Sequence, residues 1–102
     1  MIHVLATITV KPGKRDEFLR EFHRIMPMVH AEAGCIEYGP TVDVASGLSM
    51  QASLRDHVAV IIEKWETLEA LKAHSQAPHM AEYRVRVKDL VESVTLQVLA
   101  PA

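Results

Sequence analysis

The chain has 102 residues, a formal net charge of −2, a single cysteine and 49% hydrophobic residues. That length fits one domain, so residues 1–102 are expected to fold as one unit with one modest core. No Lys/Arg cluster points to nucleic acid, no apolar run approaches the ~20 residues of a membrane span, and the lone Cys35 excludes an internal disulfide. A reducing cytoplasm is the expected compartment. No basic segment followed by an apolar one opens the chain, so no signal peptide is expected.

Met1 to Val10 alternates, with Ile2, Val4, Ala6, Ile8 and Val10 on one face, which predicts a half-buried strand. Lys11-Pro12-Gly13 is a turn. From Lys14 to about His30 the period lengthens. Phe18, Phe22, Ile25 and Val29 mark one helical face, and Pro27 within it predicts a kink or a loosened last turn. Gly34 is placed for a left-handed cap. Cys35 to Val44 reads as a second strand with Ile36, Tyr38, Val42 and Val44 on one face. Gly39-Pro40 inside it marks a bulge or an edge position. After the turn at Ala45-Ser46-Gly47, Leu48 to Leu54 reads as a short extended segment, interrupted by Arg55-Asp56-His57.

Val58 to Ile62 is an apolar, β-branched run of strand length, closed by Glu63 to Trp65. Thr67 is a helix N-cap, and Leu68, Leu71 and His74 follow at helical spacing. Pro78 ends that helix and suits the first turn of another. On the second piece Met80, Tyr83, Val87 and Leu90 form one stripe. Glu92 to Leu99 alternates again. The order β-α-β-β-α-β predicts an α+β, ferredoxin-like antiparallel sheet with its helices on one face. The other sheet face stays fairly apolar, so a two-fold dimer packed sheet on sheet is expected.

The chemistry-bearing groups gather at the end of the third strand and on the broken helix. His74 is either a helix-end imidazole bonded to backbone or a general base, since imidazole titrates near neutral pH. His79 lies just inside a helix N-terminus, either where the dipole disfavours its proton or as a simple helix-start residue. Trp65 is a core residue that is also able to line a cavity and donate its N–H. Tyr38 and Tyr83 are core side chains with edge hydroxyls. The six His residues do not make a metal motif. His74 and His79 are five apart across a helix break, with no Asp or Glu evidently beside them. No phosphate-binding glycine loop or nucleophile elbow is present.

Several of these runs resemble one family. Ile62-Glu63-Lys64-Trp65-Glu66, Leu71-Lys72-Ala73-His74 and Pro78-His79-Met80 are similar to the antibiotic biosynthesis monooxygenases. Gly34-Cys35, Tyr38, Pro40, Val42-Asp43, Ser49, Gln51 and the segment from His74 to Tyr83 resemble its quinol monooxygenase branch. The resemblance runs nearly end to end. It implies a dimeric α+β barrel with a pocket between sheet and helices in each subunit. It also implies oxygenation of an electron-rich aromatic by dioxygen with no cofactor and no metal. On that reading His74 is the base, and Trp65, His79, Tyr83 and Tyr38 shape or contact the substrate. Haem-degrading relatives use an Asn in the first strand and a haem-ligating His in the second helical region. Here Ala6 and Thr7 occupy the first place and Arg84 the second, which speaks against haem cleavage. Two alternatives stay open: an isomerase of a small carbonyl compound that uses His74 for proton transfer alone, and a non-catalytic dimeric ligand-binding protein.

Overall fold

The computed structural model describes residues 1–102. Its elements are β1 (Ile2–Val10), α1 (Arg15–His30), β2 (Cys35–Thr41), β3 (Val58–Trp65), α2 (Leu68–Ser75), α3 (Pro78–Val87) and β4 (Val91–Leu99). The strands form one antiparallel sheet in the order β2-β3-β1-β4, the ferredoxin-like split βαβ arrangement anticipated from the element order. No helix is long and apolar enough to cross a membrane.

The register decides what faces inward. Val4 pairs with Glu63, Ala6 with Ile61 and Ile8 with Ala59. Tyr38 lies beside Glu63 on β2, and Val98 beside Val4 on β4. Directly paired residues share a face, so Tyr38, Glu63, Val4 and Val98 form one row across the inner surface. Pro40, Ile61, Ala6 and Leu96 form the next. The helices cover the β2, β3 and β1 part of this face. Phe18, Phe22, Ile25 and Val29 of α1 and Met80, Tyr83 and Val87 of α3 are buried there. β4 lies beyond that cover, and its inner residues Val94 and Leu96 are each 57% exposed.

Two local readings, the cap at Thr67 and the helix start at Pro78, hold for visible reasons. The Thr67 side chain accepts from the Ala70 N–H at 3.1 Å, and Pro78 occupies the first turn of α3. Helix α1 runs through Pro27 to His30, so the missing N–H costs one ladder bond near the end and does not stop the helix. Gly34 has φ +81°, but it shapes the loop before β2 and does not cap α1, whose C-cap is Ala31. A Cβ at Gly34 would stand 2.7 Å from the Ala70 Cβ. Only glycine lets this loop lie so close to α2.

Other expectations need correction. β2 stops at Thr41, and the strand expected to continue to Val44 does not form. Val42 and Val44 are exposed and do not share the buried face of Tyr38. Of the two readings of Gly39-Pro40 the edge position holds, since β2 is an edge strand where the missing N–H of Pro40 is harmless; the bulge falls instead at Ile36, which the pairing skips between Cys35 and Glu37. Residues 48–54 form no strand. Side chains satisfy the backbone of this segment in place of a ladder. Asp43 accepts from the Arg55 backbone N–H at 3.0 Å and its guanidinium at 2.8 Å, and Gln51 bonds Ser46 and the Val44 carbonyl. β3 runs through Trp65, as the sequence predicts, and Glu63 lies on its inner face.

Candidate active site

Between the sheet and helices α2 and α3 lies a cavity of about 520 Å³. That is within the ordinary size range of small-molecule sites. Its floor is Val4, Ala6, Ile8 and Ile61, with Val94 and Leu96 extending it towards the uncovered edge. A small residue at Ala6, in the middle of the sheet, leaves space that a larger side chain would fill. Met80, Tyr83 and Val87 form the α3 wall, and Phe22 and Tyr38 close the deep end. Polar groups are few: His74, Glu63, Ser75, the two tyrosines, and Arg84 and Lys88 of α3.

Helix α2 is only eight residues long, and its one buried side chain is His74. The imidazole packs between aromatic rings, with centroids 4.7 Å from Trp65 and 5.2 Å from Tyr38. Its Nδ1 lies 2.9 Å from Oε2 of Glu32, and the His79 Nε2 lies 2.7 Å from the same oxygen. An ionised carboxylate only accepts hydrogen bonds, so both rings donate to it. The Nδ1 side of His74 is thereby tied to Glu32, in a ring that also lines the cavity. This corrects the expectation that no acidic residue stands beside the two histidines. No group of three or more His, Cys, Asp and Glu side chains is disposed to hold a metal ion. Glu32, His74 and His79 are instead joined by hydrogen bonds.

Of the five residues singled out in the sequence, His74, Tyr38 and Tyr83 line the cavity, whereas Trp65 and His79 are not among its lining residues. Trp65 is wholly buried behind His74. Its indole N–H donates to Glu63 Oε1 at 2.9 Å. His79, on the first turn of α3, points to Glu32. Tyr38 stacks on Phe22 at 5.1 Å, and Tyr83 meets Phe22 edge-on at 6.0 Å. Burial above all pushes both phenols above the ordinary tyrosine range, with the Glu63 carboxylate adding to it and, at Tyr83, the Arg84 charge opposing it. Both therefore remain neutral hydroxyl donors across the working pH range.

Two acidic residues were missed. Glu63 is 6% exposed and faces the cavity. Burial raises its carboxyl above the ordinary value, against the opposing pull of the Trp65 N–H and of His74. Its inward position was detectable: Ala59, Ile61, Glu63 and Trp65 continue one period-two face. Glu32 carried no comparable signal, because it meets His74 across 42 positions. The α1–β2 loop places it there. Glu32 N–H bonds the Val29 carbonyl, Cys35 N–H bonds the Glu32 carbonyl, and Glu66 N–H bonds the Gly34 carbonyl.

An α+β sheet with a mostly apolar cavity under a short helix, entered by one imidazole and a buried carboxyl, defines a small-molecule-binding member of the ferredoxin-like class. The chain belongs to the antibiotic biosynthesis monooxygenase family, whose profile matches residues 1–86. It is 41% identical over 103 residues to the Escherichia coli (strain K12) protein named "Probable quinol monooxygenase YgiN", covering 99% of this chain and 98% of that one. Among solved structures it resembles PA3566 of Pseudomonas aeruginosa, with a TM-score of 0.80, 26% identity, and coverage of 99% and 93% of the two chains. SO0527 of Shewanella oneidensis is similar with a TM-score of 0.78, 25% identity, and coverage of 96% and 87%.

The Glu63 environment yields a pH test. A carboxyl whose folded-state pKa is raised favours folding below its unfolded value and loses that contribution as pH rises through the folded value. Glu63→Gln keeps an oxygen for the Trp65 N–H and never ionises. Its melting temperature is expected to exceed that of the parent near neutral pH. The gap should close as pH falls below the ordinary value of 4.5. Melting curves of both proteins across this range check it; a parent that is the more stable of the two at neutral pH contradicts it.

Proposed function

We propose that this chain is a monooxygenase that oxidises a quinol or a related electron-rich aromatic with dioxygen, using neither metal nor organic cofactor. The observation that carries the reading is His74: an imidazole tied by Nδ1 to a carboxylate, with Nε2 free, in an apolar cavity of ring-binding size. Family membership and the name of the Escherichia coli relative support the same chemistry.

The chemistry follows from the electronic state of dioxygen. Its triplet ground state reacts slowly with closed-shell organics because spin must change. A quinol that loses a proton is a far better one-electron donor. Nε2 of His74 takes the hydroxyl proton, and the quinolate passes one electron to dioxygen. The semiquinone and superoxide then combine at a ring carbon. Breakage of the O–O bond, with the proton returned, leaves a hydroxylated quinone and one water. Atoms and electrons balance as quinol plus dioxygen giving hydroxyquinone plus water. Tyr38 and Tyr83 supply hydroxyl donors for the oxyanions that develop, in a site from which the apolar walls exclude water. Trp65 holds Glu63 and packs behind His74, so it acts on the site from the layer beneath. Nothing in this sequence of steps requires a bound metal, so a chelator is expected to leave it unchanged.

Oxygen uptake with a panel of reduced quinones tests the reading. His74→Ala should lower turnover by about a hundredfold or more, the usual contribution of a positioned general base, while the melting temperature changes little. Uptake by the variant equal to that of the parent would remove His74 from the base role. Binding of quinols without any oxygen consumption would favour the isomerase or the binding protein.

The working unit is proposed to be a homodimer. The sheet face away from the helices carries Leu5, Val60, Ile62 and Leu99, among which Leu5 is 36% and Leu99 43% exposed. In the β2–β3 loop, Leu48 is 73% and Met50 97% exposed. A second copy packed on this face would bury Leu5 and Leu99. Sedimentation at micromolar concentration should give about twice the 11.4 kDa subunit mass; a monomer that keeps its activity on dilution refutes the proposal.

A further inference from the structure

We propose that Glu32 is a positioning residue: its Oε2 fixes the His74 ring in the Nδ1–H tautomer that presents a basic Nε2, and His79 holds that oxygen in place. The inference rests on His74 being the base and adds the group that makes it one. The geometry is specific. A single carboxylate oxygen lies 2.9 Å from Nδ1 of His74 and 2.7 Å from Nε2 of His79. The side chains are 14% exposed for Glu32, 5% for His74 and 19% for His79. Charge-assisted bonds in so sheltered a setting are short and strong. Two parts of the chain distant in sequence converge on this atom: the α1–β2 loop, and the junction where α2 ends and α3 begins.

The consequence for the reaction is direct. A neutral imidazole carries one N–H and one lone pair, and which nitrogen carries the proton is set by the bond the other makes. Were Nε2 protonated in the resting protein, His74 would present a donor to the cavity and could not take the quinol proton. Once Nε2 accepts a proton, the imidazolium stands beside an opposite charge and is stabilised by it. His79 donates to the same oxygen and so limits the rotation of the Glu32 side chain. The other titratable or charged groups around the cavity are Glu63 from β3, Tyr38 from β2 and Tyr83, Arg84 and Lys88 on the α3 side. None of these is within hydrogen-bond distance of the His74 ring nitrogens; Glu32 alone is.

The first test reads the ring itself. In protein labelled with nitrogen-15 and held at a pH where His74 is neutral, nuclear magnetic resonance should find Nδ1 protonated and Nε2 bare. In Glu32→Ala the ring should move towards the Nε2–H form. In Glu32→Gln, which keeps a carbonyl acceptor, it should not. The second test is kinetic. Glu32→Ala should lower kcat by about tenfold or more with KM changed less than twofold, as expected when a base is misdirected and binding is intact. Glu32→Asp should recover part of the loss. In a His74→Ala background, Glu32→Ala should add nothing, because residues that act as one unit are not additive. A parent ring protonated at Nε2, a tautomer indifferent to Glu32→Ala, or a full additional loss in the His74→Ala background would each overturn the proposal. The tautomer measurement needs no substrate. Failure to find an oxidised quinol would count against the proposed function and leave the role of Glu32 to be decided by the ring.

Discussion

The pairing of β1 with β3 governs the rest of the molecule. It sets Val4 against Glu63 and Ala6 against Ile61 on the face that the helices cover. Because side chains alternate with period two, a slip of β3 by one residue would send Glu63 and Trp65 to the opposite face and turn Ile62 and Lys64 inward instead. The register is held by apolar burial along the row, with Val4, Ala59 and Trp65 fully buried. It therefore both makes the core and delivers a carboxyl into it. The small Ala6 beneath α2 and α3 then leaves a space whose walls are apolar and whose few polar groups are fixed.

The sheet is wider than the helical layer laid upon it. α1 and α3 cover three strands, and the inner residues of β4 stay in the light at the cavity mouth. The helix that carries His74 is short and begins at a side-chain cap. It ends before Pro78, and the chain starts again as α3. A helix of eight residues is marginal in isolation. Here it is held by packing on β3 and by the loop at Gly34, whose missing Cβ permits the close approach to Ala70. The same loop carries Glu32.

How much of this was legible in the sequence depended on the range of the interactions. Local signals were enough for the elements. The alternation of Met1 to Val10, the four-residue spacing of Phe18 and Phe22, the cap at Thr67 and the start at Pro78 each reflect a bond or a face within a few residues. They led to the observed element order and brought His74 and Tyr83 together on the broken helix, while Tyr38 entered the site only through the family resemblance. The β2–β3 segment misled because β-branched Val42 and Val44 look like strand. The competing bonds from Asp43 and Gln51 that withdraw it from the sheet span up to 12 residues. Glu63 was readable but was passed over, since a charged residue at an inward strand position contradicts the usual preference. Glu32 was not readable. Its partners are 42 and 47 residues away, and only the folded chain brings them together.

The central claim is that this cavity transfers one atom of dioxygen to a ring whose proton His74 has taken. Reaction under oxygen-18 gas, followed by mass spectrometry of the product, measures it most directly. The account predicts a quinone carrying one labelled oxygen atom, with the second atom in water. A product without label, accompanied by hydrogen peroxide, would show an electron transfer that never forms the carbon–oxygen bond and would contradict it.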